Sequence, residues 1–142
     1  MSFTETRKEA IGVATPAHPR SGTAAIETGT IDMSLFHRCM AIAGVGTLGA
    51  AEAFIIRLQE TNESGGGNAT NISGAVAASF NTVNTTVTVE VRADQLTKRY
   101  VKALITPTGS NASVTYGVLI GAEPRYHPQS GDSASVTQRI VA

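Results

Sequence analysis

The chain has no tryptophan, one cysteine and only 5% aromatic residues, and each shortage removes a class of function. Cys39 stands alone, so no intrachain disulfide forms, and a disulfide-stapled scaffold is excluded. In the run Phe36-His37-Arg38-Cys39-Met40-Ala41-Ile42 it reads as a small apolar strand residue rather than a reactive thiol. Three tyrosines and four phenylalanines leave few platforms on which sugars or unpaired bases could stack. Charged residues make up 15% of the chain and balance at 11 basic and 11 acidic, without the basic excess that tracks phosphates. The most apolar stretch, Met40 to Ala53, is too short and glycine-rich to span a bilayer. Met1 to Glu9 lacks the apolar run of a secretory signal. These absences predict a soluble protein made in a cytoplasm, with neither nucleic acid nor membrane as partner. Its sparsely charged surface is easier to keep in solution where other protein covers part of it.

Catalytic constellations are equally scarce. His18, His37 and His127 have no His or Cys at metal-ligand spacing, and two of them stand beside prolines. The acids Asp32, Glu52, Glu60, Glu90 and Asp94 are scattered, and no G-x-S-x-G elbow or phosphate-binding G-x-x-x-x-G-K-[ST] loop is present. Gly44-Val45-Gly46-Thr47-Leu48-Gly49 is a literal G-x-G-x-x-G, with Ala50 to Glu60 as the helix and Glu63 as the ribose acid that a dinucleotide site would need. Against that reading, the C-terminal half shows strand alternation rather than strand–helix alternation, and a glycine-rich connection between strands explains the same letters. We expect no catalytic residue, no cofactor and no metal.

What the sequence does contain is a rhythm of short alternating runs closed by Gly, Pro, Asn or Ser. In Thr86-Val87-Thr88-Val89-Glu90-Val91-Arg92 the valines share one face, and in Phe54 to Glu60 the residues Phe54, Ile56 and Leu58 do. Tyr100 to Thr106 reads as a largely buried strand closed by a Pro-Thr-Gly turn, and Val114, Tyr116, Val118 and Ile120 form another alternating set. Strands are expected near 24–32, 37–44, 53–60, 85–92, 99–106 and 113–121. Glu63 to Asn68 reads as a flexible tip, and Asn71 to Ala78 stays ambiguous. The expected fold is all-β: a single antiparallel β-sandwich, Ig-like or jelly-roll-like, over residues 23–121. Extended arms flank it at 1–22, where Arg7 to Ile11 could make a helical turn, and at 122–142, where Ser135 to Val141 could add a last strand. Prolines at 16, 19, 124 and 128 keep the arms out of a sheet interior.

The order of features resembles small structural proteins of tailed-bacteriophage virions. The carriers are Gly29-Thr30-Ile31-Asp32-Met33, the strand Phe36 to Thr47, Ile56 to Asn62, Thr70-Asn71-Ile72-Ser73-Gly74, Lys98-Arg99-Tyr100-Val101 and the exit Gly121 to Arg125. Thr61-Asn62 stands where such proteins often carry Ser-Asp, and residues 1–22 have no counterpart. The resemblance implies a capsid decoration or cement protein, located on the virion head and bound to the major capsid protein. It also implies a homo-oligomer, for which a trimer at a three-fold position fits. Head-completion or tail proteins and a carbohydrate- or host-surface-binding β module are the rival expectations. Candidate interface residues are His18, Pro19, Arg20, Arg99, Tyr100, Pro124, Arg125, Tyr126 and His127, where cations sit beside aromatics and prolines.

Overall fold

The computed structural model describes residues 10–13, 19–20, 24–47, 53–82, 84–108 and 113–125. They form ten strands: β1 (Ala10–Val13), β2 (Pro19–Arg20), β3 (Ile26–Glu27), β4 (Ile31–Asp32), β5 (Phe36–Thr47), β6 (Phe54–Thr61), β7 (Thr70–Phe80), β8 (Thr85–Arg92), β9 (Tyr100–Pro107) and β10 (Ser113–Pro124). One sheet runs β1-β10-β5-β8, with β2 also on β10; the other runs β3-β9-β6-β7, with β4 also on β9. All pairings are antiparallel, and the two sheets pack face to face as a β-sandwich.

The core follows the period-two pattern. Phe54, Ile56 and Leu58 of β6 are buried, as are Val101, Ala103 and Ile105 of β9 and Val89 and Val91 of β8. Cys39, Ala41 and Ala43 supply the inward face of β5, so Cys39 is the small buried residue its context implied. Burial pushes its thiol pKa up, which keeps it protonated and unreactive.

β10 divides its residues differently. Gly117, Leu119 and Gly121 are buried, while Tyr116, Val118 and Ile120 occupy the outer face. A methyl on Gly121 would come within 2.9 Å of Ile31 Cγ2 and the Phe36 ring, so only hydrogen fits there. The larger apolar set therefore marks the outside of this strand.

Several sequence expectations change. Gly44 and Gly46, read as part of a glycine-rich connection, lie inside β5, while the strand expected near 53–60 is β6, and among the described residues no helix follows the G-x-G run. Gly44 has another role: the Tyr116 ring packs over it where a side chain would stand, and the tyrosine hydroxyl lies 3.2 Å from Thr86 Oγ1. The ambiguous Asn71–Ala78 stretch is an eleven-residue strand, β7, whose bulged pairing includes Gly74 at φ +77°. Ile72 and Ala75 put β7 against the core, and Phe80 meets Phe54 with ring centroids 6.0 Å apart.

Glu63 to Asn68, read as a flexible tip, is tied down by backbone and side chains. Gly66 N–H donates to the Glu63 carbonyl, Glu63 N–H to the buried Thr61 hydroxyl, and Asn68 to the Glu63 carboxylate. In the segment read as an arm, Ala10 and Ile11 belong to strand β1 rather than a helical turn, and Pro19 sits in a two-residue edge strand. A sheet edge is where a residue without an N–H is tolerated. Residues 126–142, including the last-strand expectation at 135–141, lie outside the described residues.

Candidate interface

One end of the sandwich gathers the turn Asp32–Leu35, the 3-10 turn Ala93–Gln95, the segment 96–99 and the exit 123–125. Asp32 organises the first of these. Its Oδ1 accepts from Ser34 N at 3.0 Å and Ser34 Oγ at 2.7 Å, closing an Asx turn. Arg99 grips the same carboxylate through Nε to Oδ1 at 3.0 Å and Nη2 to Oδ2 at 2.6 Å, a fork matched to both oxygens. Those bonds hold the Asp32 carboxyl below its ordinary value; partial burial opposes them and Ser34 adds to them. The Arg99 carbonyl then accepts from Met33 N–H at 2.9 Å, so turn and clamp fix each other. Arg99 also lies 5.2 Å from the centroid of the Tyr100 ring.

Glu60, buried at the end of β6, sets the course of 96–99. Its carboxylate accepts from Thr97 N at 2.7 Å, Thr97 Oγ1 at 2.5 Å and Lys98 N at 3.1 Å. Burial would raise its pKa; the bonds from Thr97 and Lys98, with the Lys98 charge, outweigh that and lower it. A buried carboxylate thus fixes the backbone at Thr97 and at the cationic Lys98.

Across the gap, Arg38 pairs with Glu90 and, at 3.3 Å, with Glu123, while Arg92 reaches Asp94 at 2.5 Å. Glu123 is held at φ +54°, a left-handed conformation that costs a glutamate of order 1 kcal/mol. That turn lets Arg125 N–H donate to the Leu35 carbonyl at 2.8 Å and aims the chain out of the sheet. Between these elements lie two open clefts of about 530 Å³ and 270 Å³ that share Ala93 and Arg125. His37 also stands at the larger one. Among the described residues, no three His, Cys, Asp or Glu side chains converge as metal ligands.

The expected interface residues divide between two places. Arg99 and Arg125 line these clefts, Tyr100 opens β9 behind them, and Pro124 closes β10 beside them. Pro19 and Arg20 pair with Val114 and Ser113 at the opposite end of β10, roughly 33 Å away at strand rise. His18, Tyr126 and His127 lie outside the described residues. Sequence reading missed Arg38, Arg92, Asp94 and Glu123, because they come from three separate strands and a turn. The only local signal was the charge of β8's wet face and of the β10 exit.

No family model and no curated protein matches the sequence. Among solved structures, the chain is similar to the VP2 subviral particle of infectious bursal disease virus, with 11% identity, TM-score 0.54 and 85% of this chain covered. It is similar also to the structure of that virus's Gx strain, with 13% identity, TM-score 0.51 and 84% of this chain covered. The match spans about a third of those chains, 34% and 33%. What is shared is the β-sandwich fold. At such identity the likeness is one of fold alone.

Proposed function

We propose that the chain is a non-enzymatic structural protein of the virion: a decoration or cement subunit that binds the outer head shell across capsomer joints. The observation that carries this reading is the sandwich shared over 85% of the chain with a protein that builds a subviral particle. The phage-like order of Gly29–Met33, Phe36–Thr47 and Lys98–Val101 supports the finer placement on a head. The main partner is then the major capsid protein, and symmetry favours a homo-oligomer of the subunit, a trimer at three-fold positions.

Such a role needs surface rather than a reactive centre. A cement protein adds contact area between shell subunits, and mass action converts its binding into shell stability. Stable contacts of this kind bury on the order of 1,000 Å² or more. The low charge of the chain and the open, polar clefts at one end fit that demand.

Mass spectrometry with copy counting on purified particles tests the proposal. Hundreds of copies per particle are expected, and heads assembled without the protein should burst at lower temperature. A handful of copies would move the protein to the neck or tail. Absence from particles, or heads of unchanged heat resistance, would overturn cementing.

A further inference from the structure

We infer that residues 135–141 of the chain pair antiparallel with the free edge of β8 and extend that sheet by one strand. Among the described residues the two sheets present four edges, and three of them carry features that oppose strand addition. On the β10 side of the first sheet, β1 has four residues and β2 only Pro19 and Arg20. In the second sheet β3 and β4 have two residues each, while β7 is interrupted by register shifts and by Gly74 at φ +77°. β8 differs. It pairs with β5 over eight consecutive residues without a shift, and it contains neither proline nor glycine.

Among the described residues no strand covers the outer edge of β8. Val89 and Val91 are buried, but Val87 on the same face is only half-buried. A gap of about 140 Å³ stays open beside that edge, between Glu90 and Val91 of β8 and Ile72, Gly74 and Ala75 of β7. The charged side chains of the wet face, Glu90 and Arg92, are already paired with Arg38 and Asp94, so neither repels an incoming strand. Backbone groups on such an edge find partners only in water or in a new ladder, which makes the edge a template for one more strand.

Direction and reach single out the chain's own segment. β10 delivers Arg125 to the end of the sheet where β8 finishes, since Arg38 pairs with both Ala122 and Arg92. A chain returning from there runs against β8, the antiparallel sense of every other pairing in the fold. At ordinary strand spacing the free position lies about 14 Å from β10, and residues 126–134 can span about 30 Å. In Ser135-Val136-Thr137-Gln138-Arg139-Ile140-Val141, Val136 and Ile140 share one face while Thr137 and Arg139 share the other, the alternation of β8 itself. Turned inward, Val136 and Ile140 would continue the row of Val89 and Val91 and roof the gap beside Ile72. Pro124 and Pro128 precede the segment, so no proline interrupts its ladder. A tethered strand has an effective concentration in the millimolar range, which favours it over a strand from another molecule. Strand addition of this kind is independent of the virion reading, and its test is separate from the particle experiment.

Amide hydrogen exchange on the full ¹⁵N-labelled chain tests the pairing. In an uncovered edge strand alternate N–H groups bond to the one neighbour and the others face water. With residues 135–141 in place, every amide from Thr86 to Glu90 should be protected. Gln138→Pro should return alternate amides of this run to fast exchange, by about tenfold or more, while Ser130→Pro should leave the parent pattern. A peptide of residues 133–142, added at about 1 mM to the Gln138→Pro chain, should restore protection at those amides. Unlabelled parent mixed with labelled Gln138→Pro chain should not, because its own segment is engaged. Slow exchange at Ile56 and Ala103 reports that each variant stays folded. Alternating protection in the parent, full protection that survives Gln138→Pro, failure of the peptide, or rescue by the unlabelled parent would each overturn the inference.

Discussion

Gly44 and Gly121 lie on neighbouring strands of one sheet, β5 and β10, and their roles differ at the scale of single atoms. A methyl at Gly121 meets Ile31 and Phe36 inside the closed core, at 2.9 Å, and neither side chain has room to retreat. A methyl at Gly44 meets the Tyr116 ring, which is 41% exposed and free to swing outward. Gly121→Ala should therefore cost about 1–3 kcal/mol and Gly44→Ala less than about 1 kcal/mol, read by urea unfolding. Acid sensitivity belongs to this scale too. Asp32 and Glu60 both have lowered pKa values in the folded chain. Their contribution is complete above the ordinary values of 3.8 and 4.5 and drains away as pH falls through the lowered ones. Glu60→Gln should lose about 1–3 kcal/mol at pH 7, and its deficit against the parent should shrink as pH drops below about 4.

At the scale of elements, the sandwich end is held by interlocked turns whose strands would persist without them. Arg99→Ala removes the fork on Asp32, leaving the Asx turn with Ser34 but no tie to segment 96–99. Amide exchange should accelerate at Met33 and Arg125 while Ala41 and Ile56 in the strands stay protected. Unchanged exchange at Met33 would show that the backbone bond to the Arg99 carbonyl suffices. β7 depends on one backbone feature of its own. Gly74 at φ +77° has open space around it, so Gly74→Ala tests conformation without a clash and should cost about 1 kcal/mol. Small residues hid this strand: Gly74, Ala75 and Ala77 weaken the alternation that made β6 and β8 plain.

For the whole molecule, the arrangement of ends decides what assembly is available. β2 and the β10 exit stand at opposite ends of one long strand. The charged end should dominate salt dependence: binding to shells should weaken with ionic strength in the parent and respond less in Arg92→Glu/Arg125→Glu, measured by co-sedimentation. A parent whose shell binding ignores salt would place the shell contact elsewhere on the molecule.

The sequence by itself determined the class of fold, because period-two alternation in Phe54–Leu58, Val87–Val91 and Val101–Ile105 can bury one face only in a sheet. It also determined that Cys39 is an apolar filler and placed Arg99 and Arg125 among the residues to watch. Tertiary structure alone decided which side of β10 is inside, since Gly121 buries by contact with Phe36 and Ile31 rather than by its own hydrophobicity. It alone decided that the G-x-G run is a strand shaped by Tyr116, thirty residues past Thr86. The charged cleft was likewise beyond the sequence. Arg38, the segment from Arg92 to Lys98, and Arg125 sit far apart along the chain and meet only because β5, β8 and β10 end together, and charge proximity is a property of that register.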